Sequence, residues 1–537
     1  MHPRTYDATP RIRLEQRQGG STTLWNASLM LCLWQKPDTP LFFCSRKRLI
    51  PSDLGVLRAK KKKRRMLFNS IAFLLFFPIV CILYFTIPAE RIKARNLLLL
   101  VASYYFYMNW EPAYAMLLLT STVVTYLAAL GIGYFKEIRK KKICLVSSLV
   151  LNLAILFLFK YYNFLASNIE TALQMSGLGI AIPEFGLLLP VGISFYTFQA
   201  LGYSIDVYRG TTKVERDFPT YALFVSFFPQ LVAGPIERSN NLLPQFKQQH
   251  RFDYNEVMAG VRFMVWGYFM KLVLADRCGI YVDAIFNNVD MHNGGSYWVA
   301  SLLFPFQIYG DFAGYSLIAI GVARVLGFRL MENFHRPYFS CSIGEFWHRW
   351  HISLSTWFKD YVYIPLGGNR VGRSRQYFNL LVTFVVSGIW HGANWTFLCW
   401  GSLHGMLLCI EKALGIGKQQ YSGFKKFCHW AVTFVLVCLA WILFRANNLQ
   451  DAMTIITGLF CKIGVPDISF AMFTDLCLAA LAITILLIKE LSEEFCWKIR
   501  VAESRYWLVR HSYIVVMTAI IILLGVLGGD QFIYFQF

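Results

Sequence analysis

Long stretches of the chain carry no Lys, Arg, Asp or Glu, among them residues 66–87, 113–135, 143–159, 376–410, 427–444 and 512–529. A bilayer core takes roughly 20 apolar residues of helix, with a range of about 17–25. Each stretch is therefore long enough to cross, and 376–410 suits two spans. Charged residues make up only 15% of the 537, where roughly a quarter is usual for a soluble chain. Disorder, a secreted disulfide scaffold and an ordinary soluble multidomain enzyme are excluded on these grounds. The 13 cysteines are scattered without C-x-x-C pairs, so they are read as small apolar side chains in the membrane, with neither redox nor metal use. The net charge of +21 does not point to nucleic acid. Residues 1–65 hold 15 Lys and Arg against 4 Asp and Glu, and the remaining excess sits mostly in short loops, where basic residues hold a loop on the cytoplasmic side.

Residues 1–65 differ from the rest, being polar, without periodicity, and ending in the basic run 60–65. An apolar core beginning after so long a polar lead is no secretory signal. We read 1–65 as an upstream extension of the reading frame, with a disordered tail as the alternative, and 66–537 as the functional domain. Topology agrees. The loop with Arg91, Lys93 and Arg95 and the loop with Lys136 and Arg139 to Lys142 are separated by two spans, so both lie on one side, which should be cytoplasmic. Counting back one span would put the basic run 60–65 outside.

Other apolar segments look broken. Segment 185–205 holds Pro190 and Gly192, segment 220–236 holds Pro229, Gly234 and Pro235, and segment 296–328 holds Gly310, Asp311 and Gly314 near its middle. Broken helices at membrane depth face protein or a water-filled cavity. The expected fold is an all-α polytopic membrane protein, with about a dozen transmembrane or re-entrant helices around a central tunnel. No internal repeat is evident, which weakens an inverted-repeat transporter reading.

An ionisable side chain inside an apolar span costs about 2.5–3.5 kcal/mol on insertion scales, which makes each one a candidate functional residue. His391 lies in the run Trp390-His391-Gly392 inside 376–410, with Gly388 one turn before it. Small neighbours would let a substrate approach the ring. Desolvation disfavours an imidazolium there, and a neutral imidazole can take a proton from a hydroxyl; a histidine bonding between helices is the alternative. Further back, Trp347, Trp350, Leu354, Trp357 and Tyr361 fall at helical spacing. They predict one amphipathic helix, interfacial or cavity-lining, with tryptophans at headgroup depth and His351 at the edge of the aromatic stripe. Glu345, His348 and His351 have a spacing that invites a metal, but the ligand count falls short of what metals demand, and no metal is expected. Asp311 needs a partner, an Arg, a His or a pore water, and could either orient an imidazole or join two helices.

The order of these motifs resembles the membrane-bound O-acyltransferases, in the bacterial branch typified by the alginate O-acetyltransferase membrane subunit and the D-alanine exporter of teichoic-acid modification. The resemblance rests on Leu189 to Phe195, Asp206 to Gly210, Phe228 to Ile236, Gln307 to Ser316, Arg349 to Ser355, Pro365 to Gly368 and Trp390 to Gly392, and extends from about Met66 to the C-terminus. It implies that His391 is catalytic and that His351 is the family's second histidine; His348 stands where the branch often has Arg and receives no role. Gln307, Asp311, Trp350, Ser355, Trp390 and Asn394 are the candidate substrate-binding or tunnel residues. The implied reaction takes an acyl group, acetyl in the first instance, from a cytoplasmic thioester donor (acetyl-CoA or an acyl carrier), with no bound cofactor. A hydroxyl acceptor on the far side of a bacterial inner membrane receives it, directly or through an SGNH-type acetyltransferase that modifies polysaccharide. A G-x-S-x-G nucleophile motif is absent, so the hydroxyl has to come from a partner or the polymer itself. A transporter of polysaccharide intermediates and a non-catalytic docking subunit are the rival readings.

Overall fold

The computed structural model describes residues 66–186, 189–417, 421–497, 501–502, 504–526 and 532–533, so the polar extension 1–65 lies outside the described residues. Among the described residues there are helices and turns but no β-strand. Four antiparallel helices open the domain: α1 (Ile71–Thr86), α2 (Ile92–Met108), α3 (Pro112–Tyr134) and α4 (Ile138–Lys160). The chain turns between α3 and α4 within three residues, so Arg139 to Lys142 form the first turn of α4 instead of a loop. After α5 (Tyr162–Met175) an irregular stretch leads to Gly192, whose φ of +76° lets the chain enter α6 (Ile193–Arg209). The expected break in 220–236 is present, because α7 (Phe218–Ser226) stops at Phe227 and α8 (Phe228–Leu231) restarts with Pro229 in its first turn.

The pair that follows α9 (Ser239–Gln245) forms the centre of the bundle. Residues Tyr254–Phe286 make one apolar helix long enough to cross a membrane, built from α10 (Tyr254–Tyr268), a π-helical turn over Phe269–Ala275 and α11 (Asp276–Phe286). Against it packs α12 (Gly294–Val325). The expected break in 296–328 is not there: α12 is a single unbroken helix of 32 residues. Its glycines serve close packing. A Cβ on Gly314 would come within 2.7 Å of the Gly267 carbonyl oxygen, and one on Gly321 within 2.5 Å of that of Gly260; the reverse pairs are equally tight at 2.6 Å each. Small residues facing each other let two helix backbones approach this closely.

Between α12 and the next spans lie α13 (Ile343–Arg349), α14 (Ile352–Phe358) and a π-helical turn, Lys359–Tyr363. The uncharged run 376–410 becomes the expected hairpin of two helices, α15 (Arg373–His391) and α16 (Trp395–Leu414), and α17 (Gly423–Arg445) covers the next uncharged stretch. The last elements are α18 (Leu449–Cys461), α19 (Phe470–Glu494) and α20 (Trp507–Leu524). Among the described residues, seven helices are long and apolar enough to span a bilayer: α3, α4, Tyr254–Phe286, α16, α17, α19 and α20. The sequence reading did not anticipate Tyr254–Phe286 or α19. Their interior charges meet opposite charges on neighbouring helices. Arg324 and Glu256 pair at 2.7 Å, Arg277 meets Asp475, and Arg445 lies 2.6 Å from Asp283.

Candidate active site

His391 is the last residue of α15, at the tip of the α15–α16 hairpin. The hairpin is drawn shut by glycine. A Cβ on Gly388 would run into the Phe397 carbonyl oxygen and one on Gly392 into the Phe397 ring. The glycines beside His391 therefore make room for α16, and the expectation that they clear space for a substrate is corrected. Side chains from the end of α4 fix the tip. The Tyr161 hydroxyl donates to the Ile389 carbonyl at 2.9 Å, and the Lys160 ammonium donates to those of Trp390 and His391 at 2.7 and 2.9 Å. On the other side, the Asn394 amide donates to the Asn447 carbonyl at 2.8 Å while its oxygen caps α16 at the Thr396 N–H. Asn394 is thus occupied in holding the tip, not in lining a tunnel.

The His391 ring is 4% exposed and sits among aromatic faces: Trp390 and Trp400 at 5.0 Å and Phe444 at 5.3 Å between ring centroids. The ring borders a small, partly open cavity of about 40 Å³ lined by Lys160, Gly192, Ser194, Val232, Trp390 and His391, among others. Trp390 has an indole N–H with no hydrogen-bond partner among the described residues. Its ring carries the other candidate histidine on its far side, with His351 at 6.2 Å. The two imidazoles and the Lys160 ammonium are near enough to act on one another electrostatically.

His351 is 1% exposed, packed edge-on to Phe312 at 4.5 Å and beside Phe195 at 6.3 Å. It also breaks the helix that the aromatic spacing predicts. Its backbone is left-handed, φ +42° and ψ +56°, which ends α13 at Arg349 and starts α14 at Ile352. Such a conformation costs a non-glycine residue about 1–3 kcal/mol and persists only where surroundings impose it. Here they do. Asn333 accepts the Ile352 N–H on its carbonyl at 2.9 Å and the Ser353 N–H on its side chain at 3.3 Å, and donates to Ser316 Oγ at 3.0 Å. Ser353 Oγ in turn accepts the Ile236 N–H at 3.0 Å. The tryptophans do not face outward from the protein, because Trp347, Trp350 and Trp357 are buried. Trp357 stacks on Phe198 at 3.8 Å, and Trp350 stacks on Phe346 at 5.5 Å beside Trp441. Ser355 donates to the Trp350 carbonyl at 3.2 Å and so supports the same turn.

The remaining candidates divide. Asp311 lies on α12, and its expected partner is corrected: not an Arg, a His or a pore water but Lys271, from the π-helical turn. Lys271 Nζ is 2.5 Å from Asp311 and 2.7 Å from Asp276, and the Ile533 N–H donates to the second Asp311 oxygen at 2.6 Å. Asp311 therefore joins α12, the π-helical turn and the C-terminal segment, and orients no imidazole. Gln307 is buried against Gly279, away from the cavity lining. Glu345 pairs with Arg349 at 2.7 Å while His348 is exposed and His351 buried, so these three do not converge. Among the described residues no three His, Cys, Asp or Glu side chains gather as metal ligands do. Sequence reasoning missed Lys160, Ser194 and His404. His404, 1% exposed, accepts the Trp347 indole N–H at 3.3 Å and packs on Trp400. The signal for Lys160 was a lone cation closing an apolar run, which reads as the end of a span.

Comparison with known proteins was made against this geometry. The family model for the membrane-bound O-acyltransferases matches residues 105–450, which include Lys160, His351 and His391. A protein of Pseudomonas syringae pv. tomato named probable alginate O-acetylase AlgI is 44% identical over 392 residues, covering 72% of this chain and 74% of its own. The peptidoglycan O-acetyltransferase of Helicobacter pylori is 35% identical over 433 residues, covering 74% and 81%. The teichoic acid D-alanyltransferase of Streptococcus thermophilus is 32% identical over 240 residues, covering 42% and 58%. A multi-pass helical bundle, two buried histidines about one tryptophan and a match over most of the domain lead to one conclusion: the chain is an O-acyltransferase and belongs to the membrane-bound O-acyltransferase family.

Proposed function

We propose that residues 66–537 form a membrane O-acetyltransferase that serves extracytoplasmic polysaccharide, working in a bacterial inner membrane. A thioester donor, acetyl-CoA or an acyl carrier, arrives from the cytoplasm, and a hydroxyl acceptor arrives from outside. The acceptor is the polymer itself or an SGNH-type acetyltransferase that passes the acetyl group on. The observation that carries this reading is the placement of His391, buried at a hairpin tip yet bordering a cavity. Sidedness supports it. Helices α4 and α15 both begin with clustered basic residues, Arg139 to Lys142 and Arg373 with Arg375, which belong on the cytoplasmic side. Both end at the cavity, so the cavity faces the side from which the acceptor comes.

In the reaction, the acceptor oxygen attacks the thioester carbonyl carbon as a His391 ring nitrogen takes the hydroxyl proton. The new C–O bond forms, the C–S bond breaks, and the departing sulfur takes the proton from the imidazolium. General-base assistance of this kind contributes about 10²–10⁴-fold, and holding donor and acceptor together supplies much of the rest. Trp390 walls the site, and His351 packs behind it and against Phe195, with Ser355 supporting the His351 turn. For His391→Ala we expect acetate on the polysaccharide to fall at least about 100-fold, while the protein still inserts and accumulates. Full acetylation by that variant refutes the assignment. Loss of polymer export instead of acetylation would favour a transporter, and co-purification with a separate, fully active transferase would favour a docking subunit.

A further inference from the structure

The cavity that reaches His391 is also walled by an ammonium that the mechanism above has not used. Among the described residues, Lys160 has no carboxylate at ion-pair distance. Its Nζ donates to the Trp390 and His391 carbonyls, lies 3.4 Å from Ser194 Oγ, and sits 5.7 Å from the centre of the Trp390 ring. Three other cations in the bundle have an opposite charge beside them: Lys271 has Asp276 and Asp311, Arg277 has Asp475, and Arg445 has Asp283. Arg95 is bonded to backbone carbonyls as Lys160 is, but it does not line this cavity. A lysine has three N–H donors and no acceptor. Two of Lys160's are spent on the end of α15, and the third faces Ser194 and the cavity.

Capping two carbonyls does not require a charge. An amide side chain donates as well, and it is far less costly to desolvate than an ammonium. A lone ammonium at the wall of a cavity is suited to an anion that is present only part of the time. Ser194 adds a hydroxyl from the first turn of α6, the positive end of that helix's dipole; Gly192 and Ser194 both line the cavity. The proposed reaction generates such an anion there, because attack on the thioester moves the carbonyl π electrons onto oxygen until the C–S bond breaks and they return.

We infer that Lys160 and Ser194 form the anion-stabilising side of the active site, with the Lys160 ammonium and the Ser194 hydroxyl holding the oxyanion of the attacked carbonyl opposite His391. This inference rests on the proposed function of His391. The test follows thiol release from acetyl-CoA by the purified full-length chain, with an unacetylated oligosaccharide as acceptor. Removing one donor to an oxyanion costs about 10²–10³-fold in kcat, so Lys160→Gln should lose that much, with the KM for acetyl-CoA changed less than about threefold. Lys160→Arg should recover to within about tenfold of the wild type. Gln can still donate to both carbonyls, so a purely structural cap would leave kcat unmoved. Ser194→Ala, which removes no charge and leaves the helix intact, should lose about tenfold in kcat. Wild-type kcat in Lys160→Gln, or Lys160→Arg no faster than Lys160→Gln, overturns the inference. Should Lys160→Gln fail to fold, unchanged kcat in Ser194→Ala overturns it as well. His391→Ala run alongside separates the two claims: activity there removes the proposed function, whereas an inactive His391→Ala beside a fully active Lys160→Gln removes only this inference.

Discussion

His351 shows how far a single residue can depart from what its neighbours predict. The aromatic spacing around it describes one helix, yet its left-handed backbone splits that helix in two, held by Asn333 and Ser353. The bonds that impose the turn reach residues 17 to 117 positions away, so no local pattern could have revealed them. Two substitutions separate the ring from the backbone. His351→Ala and His351→Gly both remove the imidazole beside Trp390, and both should lower acetyl transfer at least about tenfold. Only glycine adopts this φ without cost, so His351→Gly should be the more stable of the two by about 1 kcal/mol, read as a higher melting temperature in detergent. Wild-type activity in either variant would remove His351 from the site, and equal melting would mean the strain is absorbed elsewhere. Asp311 makes a second residue-scale case. Lys271 keeps Asp276 when Asp311 is removed, but the Ile533 N–H loses its acceptor, at a cost of about 1–3 kcal/mol, so Asp311→Ala should unfold at lower temperature than the wild type, with any loss of transfer tracking the loss of folded protein. A variant that melts normally but is inactive would return Asp311 to the site.

At the scale of helices, the sequence was most legible in long uncharged runs. Stretches 66–87, 113–135, 143–159, 376–410, 427–444 and 512–529 became α1, α3, α4, the α15–α16 hairpin, α17 and α20. It was not legible where charges cancel across helices. Tyr254–Phe286 carries six charged residues, and five of them, Glu256, Lys271, Asp276, Arg277 and Asp283, have a partner of opposite charge within 4 Å, most of them on another element. A scan along one strand of sequence sees six charges and none of the cross-helix ion pairs that hold most of them. Glycine misled in the other direction. Gly310 and Gly314 suggested a broken helix, whereas they and Gly321 are where α12 touches Tyr254–Phe286 backbone to backbone. Overpacking a tight contact typically costs about 1–3 kcal/mol, so Gly314→Ala, whose Cβ would meet the Gly267 carbonyl at 2.7 Å, should lower the melting temperature. Gly179→Ala, with nothing within 4 Å of the new Cβ, should not. Equal effects from the two would mean that α12 and its neighbour slide apart at little cost.

Across the whole molecule, charge separates two ends of the bundle. The basic starts of α4 and α15, and Lys425 with Lys426 at the start of α17, mark one end. The cavity, the hairpin tip at His391, the Asn394–Asn447 bond and the junction between α18 and the start of α12 mark the other. The first end carries the clustered cations, so it is the cytoplasmic one under the positive-inside rule, and an acceptor outside the cell then meets His391 through the cavity. Two exposed cysteines report on the two ends: Cys428 follows Lys425 and Lys426, and Cys461 precedes Lys462, whose carbonyl accepts the Gly294 N–H at the start of α12. A membrane-impermeant thiol reagent added to intact cells should therefore label Cys461 and leave Cys428 untouched, and inside-out vesicles should reverse the pattern. The assignment is read from the label lost in Cys461→Ser and in Cys428→Ser. The opposite pattern would place the cavity on the cytoplasmic side. His391 would then be reached first by the donor, and the acceptor would have to pass Trp400 and Phe444, which pack on the ring and line no part of the cavity.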